Sequence, residues 1–329
     1  MLKFIRLTII LVLTAALFLS LSGCGSCKNE LGNGYKVVDE SGTETCFTSK
    51  PEKILTLGMG TDGIVLGLVP PERLVSINSL ADDPCSSNIV DLAKRVKNKH
   101  RYLSAEQAMA LQPDVVITYD WSKPEQINTM RDLGMKVIVL KGPRTIEDIK
   151  RNITTIATAL KEQEKGAKLI AAMDMELDKL STKLCERGDT HKRRVLLLSL
   201  MQTYGGKGCL YDDLCSRAGV INCLSEAGLS NGQALTKEML VKINPELIIM
   251  PVYNDHNTFD INKHNEEFLN DPALVDVVAV KHRRLFYPRE GYIYNCSQDA
   301  VFGAVEIARA AYGEEFSQNS CRHLSVADE

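Results

Sequence analysis

The feature that most constrains this chain is the long helical pattern between Thr145 and Arg187. Pro143 and Arg144 lead in, Thr145 can cap, and Glu147 and Asp148 fall in the first turn, where the helix dipole favours carboxylates. Gly166 is expected to interrupt the run and give two helices. The first puts Ile146, Ile149, Ile153, Ile156, Ala157 and Leu160 on one face. The second, from about Glu162 to Arg187, repeats Ala167, Ile170, Met173, Leu177, Leu180 and Leu184 at spacings of three and four and stops at Gly188. A helix of this length is either one more surface helix of a single α/β domain or a stiff spine between two α/β lobes. The flanking sequence decides between them.

Before the spine, strand patterns at Tyr35–Asp39 and Thr43–Phe47 flank a turn and suggest a hairpin. Strand patterns at Ile54–Leu57, Arg73–Ile77, Asp114–Thr118 and Lys136–Leu140 then alternate with helical ones at Thr61–Leu68, Ser104–Leu111 and Pro124–Leu133. After it, strands at Arg194–Leu200, Glu246–Met250 and Arg284–Tyr287 alternate with helices at Asp212–Ala218, Thr236–Ile243 and Asp299–Tyr312. Such alternation with short connections implies parallel sheets covered by helices. One half also echoes the other. Ser104-Ala105-Glu106 leads to Pro113-Asp114-Val115-Val116-Ile117, as Thr236-Lys237-Glu238 leads to Pro245-Glu246-Leu247-Ile248-Ile249. Two equivalent lobes on either side of a spine account for that echo. The predicted divisions are an N-terminal lobe over 35–161, the interlobe helix over 162–187 and a C-terminal lobe over 188–329.

With 44% hydrophobic and 25% charged residues, the composition is that of a globular chain, and a formal charge of −3 offers no basic stripe for nucleic acid. Lys3 and Arg6 precede an apolar run from Leu7 to Leu21, and Leu21-Ser22-Gly23-Cys24 follows. This resembles a bacterial lipobox, which makes 1–23 a signal peptide, Cys24 the lipidated residue, and 24–34 a tether. The protein is therefore expected outside the cytoplasm, held to the membrane by a lipid alone. Nine further cysteines lack zinc-site spacing, and buried thiols with one or two disulfides are the expectation. No metal site is predicted.

Several short motifs, taken in order, carry a family resemblance: Lys50-Pro51-Glu52-Lys53-Ile54-Leu55, Ser104-Ala105-Glu106, Leu111 to Ile117, and Leu133-Gly134-Met135-Lys136-Val137. Leu235-Thr236-Lys237-Glu238, Asn244-Pro245-Glu246, Ala279-Val280-Lys281 and Arg284-Leu285-Phe286 continue the series. From about Tyr35 to Phe316 the chain resembles the solute-binding proteins of ABC importers that handle iron chelates and vitamin B12. The resemblance implies two α/β lobes joined by one long helix, a ligand cleft between them, and small hinge movement. It also implies a permease dimer with its ATPase subunits as partner. Glu106 and Glu238 match the carboxylates that pair with permease arginines in that family.

Ligands of open α/β sheets bind beyond the carboxyl ends of the strands. That rule nominates Met59, Thr61, Asn78, Tyr119, Trp121, Arg144, Tyr204, Tyr253, Arg289 and Tyr292, with Lys141 and Gln202 beside them. Tyrosine suits a flat aromatic or macrocyclic ligand, and arginine suits an anionic ferric chelate. Met59, His256 and His264 could ligate haem, with a surface or packing role as the plainer reading. His100, His191, His282 and His323 are expected to face solvent. No GxSxG, HExxH, P-loop or GxGxxG stands in the right context, and Gly205-Gly206-Lys207-Gly208 lacks P-loop spacing. The reading is a non-enzymatic binding protein without a resident cofactor. A ferric siderophore is its first candidate ligand, with cobalamin, another corrinoid or haem as alternatives.

Overall fold

The computed structural model describes residues 34–188, 190–318 and 322–329. The expected signal peptide and Cys24 lie outside the described residues. The described residues divide into two compact units, 34–36 with 46–49 and 37–45 with those from 50 onward. In the smaller, the Tyr35 ring stacks on Phe47 with centroids 5.2 Å apart, and Cys46 is disulfide-bonded. Strands β1 (Tyr35–Val38) and β2 (Glu44–Phe47) form the predicted hairpin.

The larger unit contains two parallel sheets. The first comprises β3 (Ile54–Thr56), β4 (Leu74–Asn78), β5 (Lys99–His100), β6 (Val115–Tyr119) and β7 (Val137–Leu140) in the order β5-β4-β3-β6-β7. The second comprises β8 (Arg194–Leu197), β9 (Ile221–Asn222), β10 (Leu247–Ile249) and β11 (Leu285–Phe286) in the order β11-β10-β8-β9. Both orders reverse direction beside their first strand, between β3 and β6 and between β8 and β10. These are the switch points at which doubly wound sheets open a crevice. Strands β3, β6 and β7 are buried along their whole length, β7 even though it stands at the sheet's edge. That is why they read as continuous apolar runs.

The spine is the helix Gln163–Glu186, and the helix Ile146–Ala159 precedes it. At 1.5 Å per residue, its 24 residues span about 36 Å. Gly166 does not interrupt it. The break falls at Lys161, where φ is +56°, and Gly166 lies within the first turn of the spine. A Cβ on Gly166 would stand 2.6 Å from the Ala157 Cβ, so the glycine is a contact point that lets the two helices close up. Gly188, with φ of +66°, ends the spine as expected.

A second seam joins the lobes. The helix Met59–Leu68 carries Gly60, Gly63 and Gly67, which share a face at spacings of three and four. Added Cβ atoms would meet Cys296 at 2.8 Å from Gly60 and Ser297 at 2.8 Å from Gly63, with Gln298 equally crowded at Gly67. Gln298 Nε2 donates to Gly63 O and Leu324 O, each at 2.9 Å. The C-terminal tail completes the seam. Val326 N–H donates to Gly67 O at 2.8 Å, Ser325 Oγ to Leu66 O at 3.3 Å, and Leu324 N–H to Asp299 Oδ1 at 2.8 Å. His323 Nδ1 sits 2.6 Å from Asp299 Oδ2. His323 is therefore enclosed rather than solvent-facing. Burial alone would lower its pKa, but the Asp299 carboxylate outweighs that and raises it.

Candidate functional site

A recess of ≈ 520 Å³ of empty space opens between the lobes. Met59, Gly60 and Gly63 line it from the helix after β3, and Leu80 with the loop Ser86–Ile89 from the connection after β4. Tyr253, Glu290, Gly291 and the run Tyr294–Cys296 line it from the second lobe. The helix Glu290–Ile293 presents Glu290 and Gly291. A Cβ on Gly291 would lie 2.9 Å from the Ser87 carbonyl carbon, so only glycine permits the lobes to meet there.

Most polar groups of the recess are spent on the protein itself. Asn88 Nδ2 donates to Asp299 Oδ2 at 2.7 Å, and Asn295 Nδ2 to Asn88 Oδ1 at 3.1 Å. Ser86 Oγ donates to Asp83 Oδ2 at 3.2 Å, and the Tyr294 hydroxyl bonds Ser199 Oγ at 3.0 Å. Tyr253 OH accepts from the Arg101 guanidinium at 3.0 Å. Burial pushes the Cys296 thiol up to about 12, so it is protonated at neutral pH.

One side of the recess is bridged by a loop with three successive non-glycine residues in left-handed conformation, Asp255, His256 and Asn257, at φ of +44°, +55° and +66°. The His256 amide donates to Asp83 Oδ2 at 3.1 Å, and its Nε2 lies 3.2 Å from Asp82 Oδ1. His256 is thus committed to carboxylates, which raise its pKa, and His264 packs its ring 6.0 Å from Phe259. Neither lines the recess, whereas Met59 does.

The nominated residues divide. Met59 and Tyr253 line the recess. Tyr204 stands behind it, its ring 5.4 Å from that of Tyr294. Tyr119 is only 1% exposed. Its hydroxyl donates to Cys296 O at 3.0 Å, which ties the end of β6 to the opposite lobe. Trp121 is 60% exposed, with its ring 4.3 Å from that of Tyr119 and pressed over Gly142.

Others take structural positions. Thr61 is fully buried and donates to Gly58 O at 2.7 Å, sharing that N-cap carbonyl with the Asp62 amide. Asn78 caps the next turn by accepting from Leu80 N–H at 3.0 Å. Arg144 is exposed at the lead-in to Thr145. Arg289 precedes the helix Glu290–Ile293 and donates to Gln318 O at 3.3 Å. Tyr292 is fully buried against Phe302, its hydroxyl donating to Arg322 O at 3.1 Å. His100 is also buried, beside Ser76 Oγ at 2.8 Å, and burial drives its pKa down to about 4. The expectation that it faces solvent fails because β5 (Lys99–His100) is a real edge strand with no apolar alternation to announce it.

Glu106 and Glu238 are exposed in the first turns of matching helices, Ala105–Ala110 and Lys237–Ile243. The capping box of the first uses Gln107 rather than Glu106. Glu106 accepts instead from Ser104 Oγ at 2.7 Å.

Comparison with known proteins agrees with this architecture. A family model described as periplasmic binding protein matches residues 54–290. The molybdate-binding protein MolA of Haemophilus influenzae is 21% identical over 308 residues, covering 85% of each chain. The haem-binding protein RhuT from Roseiflexus sp. RS-1 superposes with a TM-score of 0.67 at 23% identity, over 81% of this chain and 99% of that one. A Helicobacter pylori CeuE structure with nickel and histidine gives 0.67 at 22% identity, over 86% and 90%.

Two α/β lobes on a helical spine around a cleft define a solute-binding protein, and its relatives are binding proteins, not enzymes. The chain belongs to the periplasmic binding protein family, in its iron-chelate and vitamin B12 branch, whose members work outside the cytoplasm with ABC transporters.

Proposed function

We propose that this protein captures a metal chelate of low net charge with a broad apolar or aromatic surface, such as a corrinoid, and delivers it to an ABC importer. The observation that carries this reading is the lining of the recess, which among the described residues holds no lysine or arginine. Arg144 and Arg289, the sequence argument for an anionic ferric siderophore, are not part of that lining, and Arg289 lines an adjoining hollow that shares Ser87, Asn88 and Gly291 with it. The surroundings agree. Tyr102, Trp121, Met201, Phe259 and Tyr287 are exposed large side chains that follow the carboxyl ends of β5, β6, β8, β10 and β11. They offer apolar area to a ligand wider than the recess. Met59 in the lining favours haem as the second reading, since a thioether can ligate its iron. Attachment through a lipidated Cys24 belongs to the same proposal.

Trp121 is the only tryptophan, so intrinsic fluorescence reports on the cleft mouth. Titration with cyanocobalamin, haemin, a neutral ferric trihydroxamate and an anionic ferric triscatecholate is expected to give saturable quenching with a low-charge member. Trp121→Ala should weaken that binding by ~1–3 kcal/mol, the worth of a stacked aromatic. Tight binding of the triscatecholate alone would overturn the reading.

A further inference from the structure

Among the described groups lining the recess, Glu290 is the one with a buried side-chain oxygen left unpaired. One carboxyl oxygen is held by the Val252 amide, while Oε2 is buried and has no partner among the described residues. Native structures rarely leave such an atom unpaired unless something else completes it. Asn88, Asn295, Ser86 and Tyr294 already use their donors within the protein. The nearest other acid, Asp83, is 2% exposed and accepts from the Cys85 and His256 amides and from Ser86 Oγ. Its proximity disfavours a charge on Glu290.

We propose that Glu290 is a specificity-determining residue that carries a proton into the recess and donates it as a hydrogen bond to an acceptor oxygen of the ligand, a carboxamide, carbonyl or hydroxamate. This rests on the chelate reading above for the ligand's class, but the protonation itself belongs to the free protein. Burial first, and Asp83 second, push the Glu290 carboxyl up to about 8. The titratable groups around it are Asp83, Tyr253, Tyr294 and Cys296, with Asp82, Asp255, Arg101 and His256 on the flanking loops. Burial keeps Tyr294 and Cys296 protonated beyond the range in question. The donor is then present below about pH 8 and lost above it.

Two arms test this. In the ligand-free protein, carbon-13 NMR of labelled glutamate carboxyls should show one group titrating near pH 8, absent from Glu290→Gln. No such signal overturns the proposal whatever the ligand. In the second arm, the wild-type dissociation constant for cyanocobalamin, or for whichever of the four probes binds, should rise about tenfold between pH 7 and pH 9. That is the loss of protonated carboxyl expected for a group titrating near 8. Glu290→Gln keeps a donor of the same shape and should bind within threefold of wild type at pH 7 with a flattened profile. Tighter binding at pH 9 would mean the ligand brings a cation and would overturn the donor role. If no probe binds, the chelate reading fails, and the NMR arm still decides whether Glu290 holds its proton.

Discussion

Asp62 has no exposed surface, and its two carboxyl oxygens face the Thr56 hydroxyl and the Asn78 amide. Desolvation raises its pKa from 3.8 to about 7 against those two bonds. An acid that titrates higher in the folded state than in the unfolded one subtracts stability as pH rises between the two values. Folding stability should therefore fall between pH 4 and pH 7 by up to roughly 4 kcal/mol from this group. Asp62→Asn should remove that slope while matching wild type near pH 4, as read by urea unfolding across the pH range. Parallel profiles for the two proteins would refute it. His100 acts in the other direction: buried neutral, it withdraws stability as pH falls from 6.5 toward about 4. Neither group was legible as buried from the chain alone. An aspartate three residues into a helix reads as a first-turn acid, and a histidine beside Lys99 and Arg101 reads as surface.

At the scale of elements, Gly166 and the helix it belongs to make the most direct test. Gly166→Ala gains about 1 kcal/mol of helix propensity but drives a methyl to 2.6 Å from Ala157. The net expectation is a loss of about 1–2 kcal/mol by thermal or urea unfolding. Ala157→Gly in the same chain should return most of it. A stabilised Gly166→Ala single variant would mean that the helices part freely. Long elements with a sustained apolar stripe, the spine and Ile146–Ala159 among them, were readable because period and length agree. The spine starts at Gln163, as its pattern indicates, but Gly166 reads wrongly as the interruption because glycine has two uses, breaking a helix or permitting close approach, and spacing does not separate them. The recess suffered more. Its second wall is the run Glu290–Cys296, which has no periodicity, and its first is a Ser-Ser-Asn loop held by Asp83. The available signal was the i, i+3, i+7 pattern of Gly60, Gly63 and Gly67, which says that another backbone comes close.

At the scale of the molecule, Glu106 and Glu238 stand on corresponding helices of the two lobes with their carboxylates exposed. Since Gln107 closes the capping box, the carboxylate of Glu106 is not needed to start its helix. The double variant Glu106→Arg with Glu238→Arg should keep its melting temperature within about 2 °C and its ligand affinity within twofold, while uptake by cells falls at least tenfold. Exposed ion pairs supply register and steering more than affinity, so reversing both is needed to expose their role. Normal uptake would dismiss permease docking through these residues.

The tail from Arg322 to Glu329 carries a consequence of another kind. Its bonds to Leu66 and Gly67 join residues about 259 positions apart in the chain. Each lobe can gather its own sheet from near neighbours, whereas contacts of such separation carry a large loop-closure cost. The seating of this segment on the helix Met59–Leu68 should therefore follow the assembly of the two sheets as the chain folds.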